Sequence, residues 1–374
     1  MKKSIVSRDD RLSRSMPDIV TAKDGSLICA FRESDTYPRR DPVIHHLPGQ
    51  PGSRVSIVRS FDEGTTWGPV EPICELTAQE GFVNCVRLCR LLDDALLMVV
   101  DWSTGTSGGS RPESGRATRI WMWRSQDNGN TWEGPQKPPV YGLVPSIRQL
   151  RDGTLLCGTS TWNDVDEEKM MVHRSGDLGL TWEGPVTAAE KRDHDFSEGD
   201  FVELDNGVIV CYLREDRHPP NSLKTLSEDG GRTWQGPYRT GLLSCLGRPA
   251  AGLLRSGEVV VTYRCDFSGM FCMYVESQEK AAEKTPPDGR VFGRNLMLDV
   301  DRGPVGHSGY SGWTQLHCGD IFVVQHIIDD TPPARHVRGY RVERRDWTMS
   351  PEPQRSRASA KQVSEPLEET PAAS

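Results

Sequence analysis

The chain has 374 residues, room for two ordinary domains or one large repeat architecture, and its 36% hydrophobic content supports a substantial core and excludes a disordered chain. Lys and Arg number 45 against 53 Asp and Glu, a net charge of −8 that speaks against duplex nucleic acid or an anionic membrane as partner. The first residues, MKKSIVSRDDRLSR, have no apolar stretch behind their lysines, and no run is long enough to span a bilayer. The expectation is a cytoplasmic protein without a signal peptide. Most of the ten cysteines sit inside apolar, strand-like runs such as LICAF and VIVCYL, without C-x-x-C pairing, and are expected as buried free thiols.

In chain order, six segments share one pattern: a strand, a D-G or N-G type turn, and an apolar strand. They are MPDIVTAKDGSLICAF, FVNCVRLCRLLDDALLMVV, VPSIRQLRDGTLLCGT, GDFVELDNGVIVCYL, RPAAGLLRSGEVVVTY and YSGWTQLHCGDIFVVQH. The first four units are each followed by a turn of the form S-x-D-x-G-x-T-W: SFDEGTTW at 60–67, SQDNGNTW at 125–132, SGDLGLTW at 175–182 and SEDGGRTW at 227–234. In such a turn, an Asp box, Ser and Asp hold backbone N–H groups, Gly permits positive φ, and Trp is expected to cover its own hairpin as a self-contained staple. The box aspartates are 65, 50 and 52 residues apart, a period that suits one four-stranded propeller blade. The fifth and sixth units lack the staple. The prediction is an all-β, six-bladed β-propeller over residues 1–349, followed by a disordered tail, 350–374, where the apolar pattern ends.

Four Asp boxes in a six-unit array resemble the sialidase (neuraminidase) superfamily, a likeness covering about 330 residues. It implies an active site at the centre of one face, with the boxes on the other. In such a ring the start of each innermost strand and the end of each second strand reach the central mouth. This nominates Arg14, Arg32, Arg214, Arg248 and Arg264 for a clamp on a substrate carboxylate, because guanidinium forks bind carboxylates bidentately; Arg32 also has Glu33 and Asp35 as local partners. The resemblance further implies Glu198, just before GDFVELDNG, as a base and Tyr310, in GYSGWTQL, as the nucleophile it activates. An anomeric carboxylate repels a carboxylate nucleophile, so a neutral phenol is preferred. It also implies an acid/base Asp after the first unit's second strand, where Asp35 and Asp41 both qualify and Asp35 lies nearer the strand end. Two departures stand out: the family's F/Y-R-I-P is RSMP here, setting Arg14 one residue further from Pro17, and FSGMFCMYVES lacks the family's third arginine, leaving Arg264 or Arg248 as substitutes.

Three functions follow as alternatives. The first is a sialidase-like exo-glycoside hydrolase on a terminal acidic sugar. The second is a propeller lyase on uronate glycans, using a tyrosine with one of His45, His46, His218, His307 or His326. The third is a non-catalytic glycan-binding propeller. No metal-ligand spacing is visible and hydrolysis of this type needs no cofactor, though a loop could still hold calcium; the expected partner is a carbohydrate substrate that carries a carboxylate, with no nucleic acid and no membrane.

Overall fold

Each D-G type turn closes a hairpin through contacts within five residues. Ala22 N–H donates to the Ser26 carbonyl at 2.8 Å, and Leu91, Leu150, Leu204, Leu254 and Leu316 repeat the same bond to Ala95, Thr154, Val208, Glu258 and Asp320. These six hairpins are the inner halves of six blades. The computed structural model describes residues 1–35, 53–76, 82–103, 118–162, 168–218, 222–265, 269–303, 308–329 and 334–348. The predicted tail, 350–374, lies outside them.

The chain opens with β1 (Lys2–Ser7). Blade one is β2 (Leu12–Thr21), β3 (Leu27–Asp35), β4 (Ser53–Ser60) and β5 (Glu71–Leu76). Blade two is β6 (Phe82–Arg90), β7 (Leu96–Ser103), β8 (Thr118–Ser125) and β9 (Glu133–Gln136), and blade three is β10 (Leu143–Gln149), β11 (Leu155–Trp162), β12 (Glu168–Ser175) and β13 (Glu183–Ala189). Blade four is β14 (Gly199–Glu203), β15 (Ile209–Leu213), β16 (Leu223–Ser227) and β17 (Gln235–Arg239). Blade five is β18 (Ala250–Leu253), β19 (Val259–Arg264), β20 (Met270–Glu276) and β21 (Arg294–Val300), with the short helix α1 (Gln278–Ala281) between its last two strands. Blade six is β22 (Ser311–Gln315), β23 (Ile321–Ile327) and β24 (His336–Val342), followed by α2 (Arg344–Trp347). Its fourth, outermost strand is β1, so the first residues of the chain close the ring against the last. β1 falls outside the six repeated segments, because a short strand with an exposed first half carries little signal of its own. Among the described residues no helix is long and apolar enough to cross a membrane. The ten cysteines are free, and eight of them are buried.

Six apolar clusters fill the six seams between neighbouring blades, and a seventh, smaller one, Met16 with Cys85, packs against Tyr310. The Asp boxes serve these seams, which corrects the expectation of self-contained staples. Within each box the polar side chains do hold their own turn: Ser60 Oγ accepts the Gly64 N–H at 2.8 Å, and Asp62 takes the Thr66 N–H and hydroxyl at 2.8 and 2.6 Å, with the same bonds in the other three. These donors hold the four box aspartates down at a pKa of about 2. The tryptophan, however, packs into the seam with the preceding blade: Trp67 against blade six, Trp132 against blade one, Trp182 against blade two and Trp234 against blade three. Gly129 shows how close the approach is, since a Cβ there would lie 2.6 Å from Ile28 Cδ1 of blade one. In the two seams without a box a helix stands in: Ala281 of α1 fills the seam between blades four and five, and Trp347 of α2 the seam between five and six.

Candidate active site

First strands start, second strands end and third strands start on the face opposite the Asp boxes, because each successive strand of a blade runs antiparallel to the last. In blade four this brings Glu198, just before β14, beside Arg214, just after β15; the Arg214 N–H donates to the Glu198 carbonyl at 2.7 Å. Tyr310, just before β22, arrives from blade six. Its hydroxyl donates to Glu198 Oε1, and Arg214 Nη1 lies 3.0 Å from both that hydroxyl and that oxygen. Arg214 is held in turn by Asp216 Oδ1, 2.9 Å from its Nε. The Tyr310 ring rests on Met16 and Cys85, stacks on His326 with centroids 5.8 Å apart, and faces the Arg248 guanidinium at 5.6 Å. Burial, and then the Glu198 charge, hold the Tyr310 hydroxyl well above the ordinary phenol range, while Arg214 and Arg264 pull it back. In the resting site the phenol therefore keeps its proton, with the acceptor for it already hydrogen-bonded.

Arg264 reaches the same cluster from the end of β19. It donates to the Ser308 carbonyl at 3.3 Å and to the Leu246 carbonyl, its Nε is buried without a partner, and among the described residues no carboxylate pairs with it. Burial, and then the like charge of Arg214, lower its pKa. Arg32 comes from β3. Its Nε donates to Ser15 Oγ at 3.2 Å; burial lowers its pKa, and the other groups acting on it are Cys85, Asp101 and Tyr310. Its expected local partner Glu33 instead binds Arg14 and Arg54.

Two nominated arginines are committed elsewhere. Arg14 donates to Glu33 Oε2 at 2.8 Å and Ser7 Oγ at 2.9 Å. The extra residue of RSMP is absorbed as a bulge between Ser15 and Asp18, with Met16 at φ 56°, and this turns Met16 rather than Arg14 toward Tyr310. Arg248, 1% exposed, spans the centre and donates to the carbonyls of Pro17 (3.1 Å), Ser311 (3.1 Å) and Val86 (3.3 Å), tying blade five to blades one, six and two. Beneath it Arg87 bridges Asp200, at 2.6 Å, and Asp18, at 3.4 Å, while Arg148 also binds Asp200. This ionic layer ties blades one, two, three and four together.

Asp35 ends β3, but its side chain, like Asp41, His45, His46 and His307, lies outside the described residues. His218 sits on the rim, hydrogen-bonded to the Asp193 carbonyl at 2.6 Å. His326 Nδ1 accepts the Met16 N–H at 3.3 Å. Two residues at the mouth went unnominated because only first- and second-strand ends were considered. Glu168 begins the third strand β12, and Arg335 immediately precedes the third strand β24; burial and the charge of Arg32 bring Arg335 down to about 10. The antiparallel rule alone could have found both. Among the described residues no group of three or more His, Cys, Asp and Glu side chains is arranged to hold a metal ion.

Six blades, Asp boxes on one face and a Tyr–Glu–Arg cluster on the other define a sialidase-like propeller. The chain belongs to the BNR repeat-like domain family, whose sequence model matches residues 48–268. Among solved structures it is similar to a protein of unknown function from Dyadobacter fermentans, with a TM-score of 0.74 and 20% identity over 91% of this chain and 97% of that one. It is also similar to the Hadza microbial sialidase Hz136 (TM-score 0.64, 19% identity, 90% and 66% covered) and to the NanB sialidase of Streptococcus pneumoniae (TM-score 0.66, 13% identity, 92% and 71% covered). At these identities the likeness is one of fold. No curated protein sequence matches the chain.

Proposed function

We propose that the chain is an exo-acting glycoside hydrolase of sialidase type, cleaving a terminal sialic acid or another sugar that carries a carboxylate. The observation that carries this reading is the hydrogen bond from Tyr310 to Glu198 with Arg214 3.0 Å from both partners. As the phenol oxygen attacks the anomeric carbon, its proton passes to Glu198, and Arg214 stabilises the charge that develops on the oxygen. A phenol approaches a carbon bearing a carboxylate without the repulsion a carboxylate nucleophile would meet. Arg264, its neighbour Arg214 and Arg32 supply cationic donors for the substrate carboxylate, and an arriving anion relieves the repulsion between the first two. The sialidases among the fold neighbours support the same substrate class. The lyase alternative needs a histidine base beside the tyrosine. Among the described residues His326 is the histidine stacked there, and its Nδ1 accepts the Met16 N–H.

Tyr310→Phe tests the reading. The variant is expected to fold and to bind a sugar acid while losing at least about 10³-fold in turnover of an aryl sialoside, since a phenyl ring forms no covalent intermediate. Full activity in Tyr310→Phe, or no cleavage of any acidic glycoside by the native protein, would overturn it.

A further inference from the structure

Asp216 laces together the segments that carry Glu198 and Arg214. Its Oδ1 accepts the Arg214 Nε–H at 2.9 Å, and its Oδ2 accepts the hydroxyl of Ser197, the residue before Glu198, at 2.8 Å. The backbone repeats the link: Asp216 N–H donates to the Asp195 carbonyl at 3.3 Å and Arg214 N–H to the Glu198 carbonyl at 2.7 Å. Buried Glu215 fixes the turn that follows, taking the N–H groups of Arg217 (2.8 Å) and His218 (3.3 Å) on Oε1 and bonding His194 Nδ1 through Oε2. Arg214 is thus engaged through Nε with Asp216 and through Nη1 with Tyr310 and Glu198, while among the described residues its Nη2 has no hydrogen-bond partner.

We propose that Asp216 is a positioning residue that keeps Arg214 on the Tyr310–Glu198 pair and limits its pull on the bound substrate. The assignment rests on the reading of this site as a glycoside hydrolase. A guanidinium is a rigid plane, so a carboxylate gripping Nε sets the direction of both Nη groups. With Asp216 on that edge, Nη1 meets the Tyr310 hydroxyl and Glu198 Oε1 at 3.0 Å each. Without it, an arriving sugar carboxylate draws the guanidinium toward itself, and the phenol oxygen loses the donor that stabilises its developing charge. The charge of Asp216 works in the same sense. One guanidinium already lies between two carboxylates, Glu198 and Asp216, so its attraction for a third is reduced. Binding energy is thereby withheld from the ground state and kept for the transition state, where it raises kcat. Ser197 supports this geometry by occupying Oδ2, which leaves Oδ1 for Arg214.

Asp216→Asn in the full-length protein tests this, since the amide keeps the size and removes the charge. Turnover of the aryl sialoside or aryl uronide that the native protein cleaves should fall about 10–10²-fold, the scale of a misplaced catalytic group. The matching free sugar acid, measured as a competitive inhibitor, should bind at least as tightly as to the native protein and up to about five-fold more tightly, as the loss of one partly exposed opposing charge allows. A residue that merely held the loop together would lower both quantities. Ser197→Ala should give a smaller loss in kcat without loss of affinity, and should add nothing to Asp216→Asn, because both act through Arg214. If Asp216→Asn does not fold, Ser197→Ala decides alone. A parallel loss of turnover and affinity, an unchanged kcat, or an additive double variant overturns the assignment and leaves the hydrolase reading standing. A native protein inactive on acidic glycosides, or an unimpaired Tyr310→Phe, sinks the two together.

Discussion

Arg264 is a buried guanidinium that donates to carbonyl oxygens and lies near another arginine; the charges of Glu198 and Asp216 act on it, but among the described residues no carboxylate is hydrogen-bonded or ion-paired to it. Such an arrangement is costly in the empty site and favourable once an anion arrives, which separates it from Arg14, already neutralised by Glu33. Arg264→Lys keeps the charge and loses the planar fork. It should weaken binding of a sugar acid by about 1.5–3 kcal/mol, the range for a hydrogen bond to a charged group, and leave affinity for the matching neutral sugar alcohol unchanged. Inhibition constants for the two compounds measure this, and an equal loss for both would show that Arg264 only supports the loop at Ser308. Arg214 is a poorer probe, because it also holds Glu198 and Tyr310.

At the level of the strand and turn, the Asp box does two separable jobs. Its Ser and Asp shape a local turn, and its Trp joins that turn to the blade before it. Arginines of the preceding blades reach back to the same turns: Arg59 donates to the Asn128 carbonyl at 3.0 Å, and Arg174 to the Gly230 carbonyl at 2.8 Å. Trp132→Ala should therefore leave the hairpin intact while opening the seam between blades one and two, at a cost of about 3 kcal/mol, the lower end for truncating a buried aromatic. Chemical denaturation measures it. A change well under 1 kcal/mol would restore the picture of a staple that serves only its own hairpin.

For the whole molecule, stability depends on the ring being closed. β1 pairs along β24, buries Val6 in the seam between blades six and one, and places Lys3 2.6 Å from Asp299. Removing residues 1–8 should leave blade six with three strands and an open edge. The melting temperature is expected to fall by at least about 5 °C, as the loss of a few kcal/mol would produce in a chain of this size. Scanning calorimetry reads it, and an unchanged transition would mean that the ring is held by its other seams and by the ionic layer of Asp18, Arg87, Arg148 and Asp200.

Much of this architecture is local, and so could be read from residue order. A hairpin bond such as Ala22 to Ser26, or a box bond from Asp62 to Thr66, spans four residues, and its chemistry is written in the motif itself. Repetition then supplied the blade count, and the alternation of strand direction put Glu198, Arg214, Arg264 and Tyr310 on one face. Pairings between distant residues were another matter. Arg14 and Arg32 look alike in sequence; which of them turns to the mouth was settled by a one-residue bulge at Met16 and by competition for Glu33. The partner of β1 lies at the far end of the chain, and Arg248 became a strut because three carbonyls from three other blades happen to meet its fork. Asp216 belongs to the same group: the two neighbouring acids of LREDR look alike, and which of them takes Arg214 and Ser197 and which takes His194 was decided when the segments 194–198 and 214–218 met. Short-range hydrogen bonds can be inferred from a motif because both partners are in it, whereas a side chain's charge state and commitments depend on groups that meet only once the ring has closed.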